Sequence, residues 1–206
     1  MSQLITYEAA RSEKELRAPY LDQLKAMCGP SVSDLFYDPD AERLFAYTDE
    51  LAEKGYLEKE KLEASRKKFK SPYFLVLFSP SLLGTKIAHP IFTFDSAFEK
   101  LIEEKYFLNS LLDHEGEHTD QLMHGFRLPN GLVLDYSNVA QVSDPLVIGL
   151  REILANKKQI ANLEQRGITD TYFRAWIEWN LDSAKHLFFS KPATSDLEKQ
   201  LHSTIF

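Results

Sequence analysis

The chain has 206 residues, enough to bury a sizeable core as one domain, or as one domain with a helical extension. Its 44% hydrophobic, 27% charged and 12% aromatic residues are the balance of an ordinary soluble globular protein. The formal net charge of −7 argues against nucleic acid or an anionic membrane as partner, because both need clustered Lys and Arg.

The one basic run, Arg66-Lys67-Lys68-Phe69-Lys70, follows a Glu- and Lys-rich stretch and reads as a solvated helix end. The single cysteine, Cys28, excludes an internal disulfide framework, fits a reducing compartment, and at a helix end is expected to be a buried structural thiol. The first residues lack a signal-peptide core, and no apolar run approaches the ~20 residues of a spanning helix. A cytoplasmic protein is the expectation.

In chain order, residues 8–28 read as helix, with Ser12 and Glu15 spaced like a capping box and Pro19 as a kink. A second helix is expected from Pro39 to Lys54, capped by Asp38 or Asp40 and stopped by Gly55, and a charged third from Glu58 to Phe69. The aromatic and β-branched run 72–78 reads as a buried strand, and residues 90–94 as another. Asp95 or Ser96 starts a helix over about 96–122, with a break near Lys105 or Asn109. Phe126–Leu128, the turn Pro129-Asn130-Gly131 and Leu132–Tyr136 make the clearest hairpin signal. Pro145 opens a helix closing near Gly167, an aromatic-rich helix covers 171–189, and Ser195 starts a short last one. The fold class is α+β with helix dominant: a helical part over 1–70, a central part over 72–165 and C-terminal helices over 168–206 in one domain.

Residues 114–118 read His-Glu-Gly-Glu-His. Two imidazoles four residues apart stand one helical turn apart and can share a metal ion, with the glutamate beside the first placed to act on the metal's water. Projected at about 100° per residue, Leu101, Phe107, Leu108, Leu111, Leu112 and Leu122 define an apolar arc. His114, Glu115 and His118 fall on or beside it, whereas Asp113, Glu117, Asp120 and His124 face the other way. A carboxylate turned inward without a partner costs several kcal/mol, and a shared divalent cation offsets that cost.

Zinc held by two histidines needs a third protein ligand. Glu152, central in the helix 145–165, is ranked first. Glu164 on the apolar side of that helix's end, His124, and His186 on the aromatic helix are the alternatives; without a metal, His186 reads as a packed core histidine beside Asp182. His124 has the offset of a third metzincin ligand, but Gln121 stands where that pattern has its turning glycine.

His114, Glu115 and His118, with strands before and a glutamate-bearing helix after, resemble the zincin metallopeptidases over about residues 72–165. The resemblance implies a zinc-dependent peptidase acting on a peptide or protein, with His114 and His118 as ligands and Glu115 as general base. Strand 90–94 would then be the edge strand that clamps an extended substrate. His114-x-x-x-His118-x-x-Gln121-Leu122 also resembles the last-helix motif of the DinB/YfiT-like bundles. That likeness implies a divalent-metal thiol transferase or hydrolase with a further histidine from an earlier helix. A third expectation is a non-catalytic interaction module meeting a partner through Trp176 and Trp179, if those are not core residues.

Overall fold

The structure is a computed structural model that describes residues 4–205. Thr6 accepts a hydrogen bond from the Ala9 N–H and starts α1 (Tyr7–Ser12). After a 3-10 turn, α2 (Arg17–Lys25) carries Pro19 in its first turn, where the missing N–H is harmless. The helix expected over 8–28 is therefore two helices. The Ser12–Glu15 capping box does not form, since the Ser12 hydroxyl donates to Glu8 O.

Next comes β1 (Val32–Tyr37), which the sequence reading misses because Val-Ser-Asp-Leu-Phe-Tyr neither alternates nor stays apolar. The Asp38 carboxylate caps α3 (Glu42–Glu53), accepting from the N–H groups of Arg43 at 3.1 Å and Leu44 at 2.8 Å. The charged helix α4 (Lys59–Arg66) follows, and of the run 72–78 only β2 (Phe74–Leu75) pairs as a strand. β3 (His89–Thr93), buried at every position, lies parallel to β1 and antiparallel to β2 in a sheet ordered β1-β3-β2. The strand expected at 90–94 thus sits in the middle of the sheet. With neighbours on both sides it has no edge for a substrate, and the edge role assigned to it is corrected.

His89 on β3 is 1% exposed, with Nδ1 2.7 Å from the Tyr47 hydroxyl. Burial disfavours the imidazolium and pushes its pKa down to about 4, from a usual 6.5. Between those values the unfolded chain binds the proton and the folded one does not, so stability is full above pH 6.5 and falls as pH drops towards 4. The expected loss is about 2–3 kcal/mol at pH 4 relative to pH 7. Urea midpoints across this range should show it, and should show less of it in His89→Gln.

α5 (Asp95–Glu99) ends before a break, so the helix expected over 96–122 does not start there, and Leu101 in the break is 89% exposed rather than apolar core. A continuous rod then runs through α6 (Glu104–Asn109), a π-helical turn (Ser110–Glu115) and α7 (Gly116–His124). Gly125, at φ 77°, turns the chain into the hairpin of β4 (Phe126–Arg127) and β5 (Val133–Leu134); a Cβ there would lie 2.7 Å from Leu134 O.

α8 (Asp144–Leu163) carries Pro145 in its first turn. α9 (Thr171–Phe188) is capped by Asp170, and α10 (Asp196–Thr204) by a Ser195–Glu198 capping box. α8 and α9 meet at Gly149, where an added Cβ would fall 2.7 Å from the Phe188 backbone. One apolar cluster joins Tyr7, Tyr20, Ile91, Phe107, Leu150, Phe188 and Leu201, so both ends of the chain share a core with the motif rod. The fold is α+β and helix-dominant. Among the described residues, no helix is long and apolar enough to cross a membrane. Cys28 is half-buried, and burial pushes its thiol up to about 11, which leaves little thiolate at neutral pH.

Candidate metal centre

The motif rod lies antiparallel to α8, as three rungs show. Asp113 meets Asn162 and Arg166 at the far end, Glu117 lies 3.7 Å from Lys158, and the Gln121 amide donates to Arg151 O at 3.2 Å. Asp113 is 2% exposed, not on the water face as the helical projection expects. Its carboxylate accepts from Arg166 Nε at 2.8 Å, Arg166 Nη2 at 2.5 Å and Asn162 Nδ2 at 2.9 Å. The π turn explains the discrepancy. It takes about one residue more per turn than an α-helix, so a phase extrapolated from residues 101–112 is wrong by residue 113. The wide turn lets the adjacent side chains of Asp113 and His114 both engage the α8 segment.

His114 stands near the end of the π turn and His118 in the first turn of α7, and their rings meet at 83°, with centroids 4.7 Å apart. Their Nε2 atoms are 3.2 Å apart. Glu152, from the middle of α8, straddles them, with Oε2 3.3 Å from His114 Nε2 and Oε1 3.5 Å from His118 Nε2. A tetrahedral ion with bonds of about 2.0–2.1 Å holds its donors about 3.3 Å apart. The two imidazole nitrogens stand at that spacing, and each has a different oxygen of Glu152 beside it, so the three side chains converge as a donor set. Among the described residues they are the one His, Cys, Asp and Glu group of three or more whose donor atoms converge, all within 4.8 Å.

Gln121 sets the chemistry of His118. Its amide nitrogen donates to Arg151 O at 3.2 Å, so its oxygen faces His118 Nδ1 at 3.1 Å and accepts a hydrogen bond from the Nδ1–H. His118 Nε2 is then left with a free lone pair pointing into the cluster. The residue that breaks the metzincin pattern at position 121 thus supports the second histidine.

Burial disfavours charge on all three groups, and their neighbours decide the outcome. For His114, the hydrogen bond to Glu152 and the charge of Glu115 outweigh desolvation and raise its pKa. His118 is fully enclosed, and desolvation helped by the Arg151 guanidinium lowers it. Glu152 is desolvated too, yet the two imidazoles hold its carboxyl well below the usual carboxylate range.

His114 and Glu152, with His118 buried behind them, line a cavity of about 470 Å³, within the size range of small-ligand sites. Glu115 lines the same cavity and is half-buried, with no ion pair to another described side chain. Asn156, 2% exposed, also lines it, and its Oδ1 has no hydrogen-bond partner among the described atoms, so a ligand or water is the group that would satisfy it. Pro72, Tyr73 and Phe74 line one side, and Trp176, Asn180 and Ala184 of α9 another.

The other ligand candidates lie elsewhere. Glu164 is not on an apolar side: its side chain is 83% exposed and 3.6 Å from Arg174. His124 sits 3.6 Å from Asp120 at the end of α7. His186 is exposed, with Nδ1 2.8 Å from Asp182 O, and is not a packed core histidine. His89, the earliest histidine in the chain, belongs to the sheet and does not join the cluster, so the extra histidine of the DinB-like pattern is not supplied. Trp176 and Trp179, expected in the core, are 50% and 66% exposed. Gln121 and Asn156 are the residues that sequence reasoning missed. The i, i+3 spacing of His118 and Gln121 was a readable sign of the first, whereas nothing local marks Asn156. Comparison with protein families, curated proteins and solved structures finds no match for this chain.

Proposed function

We propose that this protein is a zinc-dependent hydrolase, a peptidase in which His114, His118 and Glu152 hold the ion and Glu115 is the general base. The observation that carries this reading is the convergence of two imidazole nitrogens 3.2 Å apart with the Glu152 carboxylate, beside a cavity that His114, Glu115 and Glu152 line. Mixed nitrogen and carboxylate ligation disfavours magnesium and calcium, whereas another divalent transition metal such as iron(II) shares this donor set with zinc.

Bound there, zinc would acidify a coordinated water and polarise a substrate carbonyl. Glu115 follows His114 directly and is held on the cavity side of the same turn. It takes a proton from the attacking water and returns it to the departing amine. Glu152 anchors the ion from the opposite helix, and Gln121 keeps His118 in the ligating tautomer. Substrate enters between the segment 72–74 and α9.

Protein purified without a histidine tag should carry about one zinc per chain. In Glu115→Gln, zinc content should persist while hydrolysis of an unstructured protein such as casein falls by about 10²–10⁴-fold. Zinc without hydrolysis in the parent would leave a metal protein that is not a peptidase. Loss of zinc in Glu115→Gln would make Glu115 a ligand and overturn its role as base.

A further inference from the structure

A second cavity, of about 210 Å³, adjoins the first. Tyr73, Phe74, Ser110 and Trp176 line both, so the two spaces share a wall and a corner. Its remaining surface comes from Ala97, Lys100, Leu101, Ile102, Phe107 and Phe173, nearly all apolar, and Ser96 adds a third hydroxyl to those of Tyr73 and Ser110. Trp176 stacks on Phe173 at 5.8 Å between ring centroids, and together they wall the side formed by α9. The Lys100 ammonium rests 4.5 Å from the centroid of the Tyr73 ring. No carboxylate lines this space among the described residues.

We propose that this second cavity is a specificity pocket for a bulky apolar side chain, aromatic or leucine-like, of the substrate processed at the His114–His118–Glu152 centre. The inference rests on the hydrolase reading for what happens to the substrate, and on the cavity's own walls for what it accepts. Three observations carry it. An apolar cavity of about 150 Å³ already takes up benzene, so 210 Å³ admits a benzyl group. The pocket opens beside Ser110, one turn before His114 and Glu115, so a residue flanking the reacting bond reaches it without leaving the cleft. A wall with one cation and no anion rejects Lys and Arg side chains, which would be desolvated without a partner. The half-exposed Trp176, shared by both spaces, has its large apolar face where an incoming side chain would cover it.

The test has a kinetic and a binding arm. In a panel of alanine-based hexapeptides with Phe, Leu, Ala, Lys or Asp at one position, kcat/KM should favour Phe and Leu over Ala by tenfold or more at a residue flanking the cleaved bond. Lys should be the poorest. Ile102→Trp, which fills the pocket away from the metal ligands, should abolish the preference, bringing kcat/KM for the Phe peptide to that of the Ala peptide. Ala97→Phe fills it from α5 and serves if Ile102→Trp does not fold. The binding arm needs no turnover: N-acetylphenylalaninamide should bind Glu115→Gln protein at least tenfold more tightly than N-acetylalaninamide, by NMR titration, and Ile102→Trp should erase the difference. If no peptide is cleaved but the binding difference appears and is erased, the hydrolase reading fails and the pocket stands. Equal binding of the two amides, or a difference that survives both filled variants, overturns the pocket.

Discussion

Glu152→Gln should lower zinc affinity on the order of a thousandfold while leaving the protein folded. Structural zinc sites bind with about 10–16 kcal/mol, so one ligand of three or four accounts for about 3–4 kcal/mol, and each 1.4 kcal/mol is tenfold. Among the described residues the carboxylate is also the one anion paired with the two imidazoles, at 3.3 and 3.5 Å, so its loss removes most of the negative charge offered to the cation. Its remaining ion pair, to Arg151 at 3.7 Å, is long, and the Glu152 side chain is 31% exposed, so folding loses little. Competition against a chelating dye measures the affinity, and circular dichroism checks the fold. Unchanged zinc binding in Glu152→Gln would remove α8 from the site and leave the His114–His118–Glu152 contact as hydrogen bonding alone.

The second large effect is expected at Asp113, which touches no part of the proposed site. Its carboxylate receives two bonds from Arg166 and one from Asn162 and is almost fully buried. Asp113→Ala leaves that guanidinium unpartnered. Removing one member of a buried pair costs 3–5 kcal/mol, and the Arg166 side chain, 31% exposed, recovers part of this by turning to water. A loss of about 3 kcal/mol in urea unfolding is expected. Asp113 also ties the π turn to the end of α8, and His114 is the next residue in that turn. A π turn is strained relative to α-helix and persists only where side chains hold it. Freed of the tie, the turn should relax towards α-helix and swing His114 off Glu152. Zinc affinity should then fall about 10–100-fold, the range seen when a residue supporting a ligand is lost. Asp113→Asn keeps one acceptor oxygen for Arg166 and should lie between the parent and Asp113→Ala in both measurements. A stability loss with unchanged zinc affinity would show that the tie serves the fold alone.

Much of the fold was legible because its signals are local. Asp38, Asp170 and Ser195 cap their helices through side-chain oxygens a few residues away, Pro145 opens α8, and Pro129-Asn130-Gly131 turns the hairpin. The misses have non-local causes. β1 is made a strand by pairing with β3, more than fifty residues later, and carries no pattern of its own. β3 becomes the central strand for the same reason, and Leu101 leaves the core because the rod starts three residues after it. The half-exposed Trp176 of α9 rims the cavity that an apolar reading of the helix would have sealed.

At the site itself, residues 114–118 carried within five letters the pair of imidazoles one turn apart and the glutamate beside them, since helix geometry alone brings positions four residues apart together. Helix geometry says nothing about partners on another element. Glu152 rather than Glu164, His124 or His186 completes the triangle because α8 packs antiparallel to the motif rod, and the register of that packing is set by Asp113 with Arg166 at one end and Gln121 with Arg151 at the other. Side chains thirty or more residues apart meet only when the whole core closes. Spacing determined which imidazoles can work together, and tertiary packing decided which carboxylate faces them and how large a space lies in front.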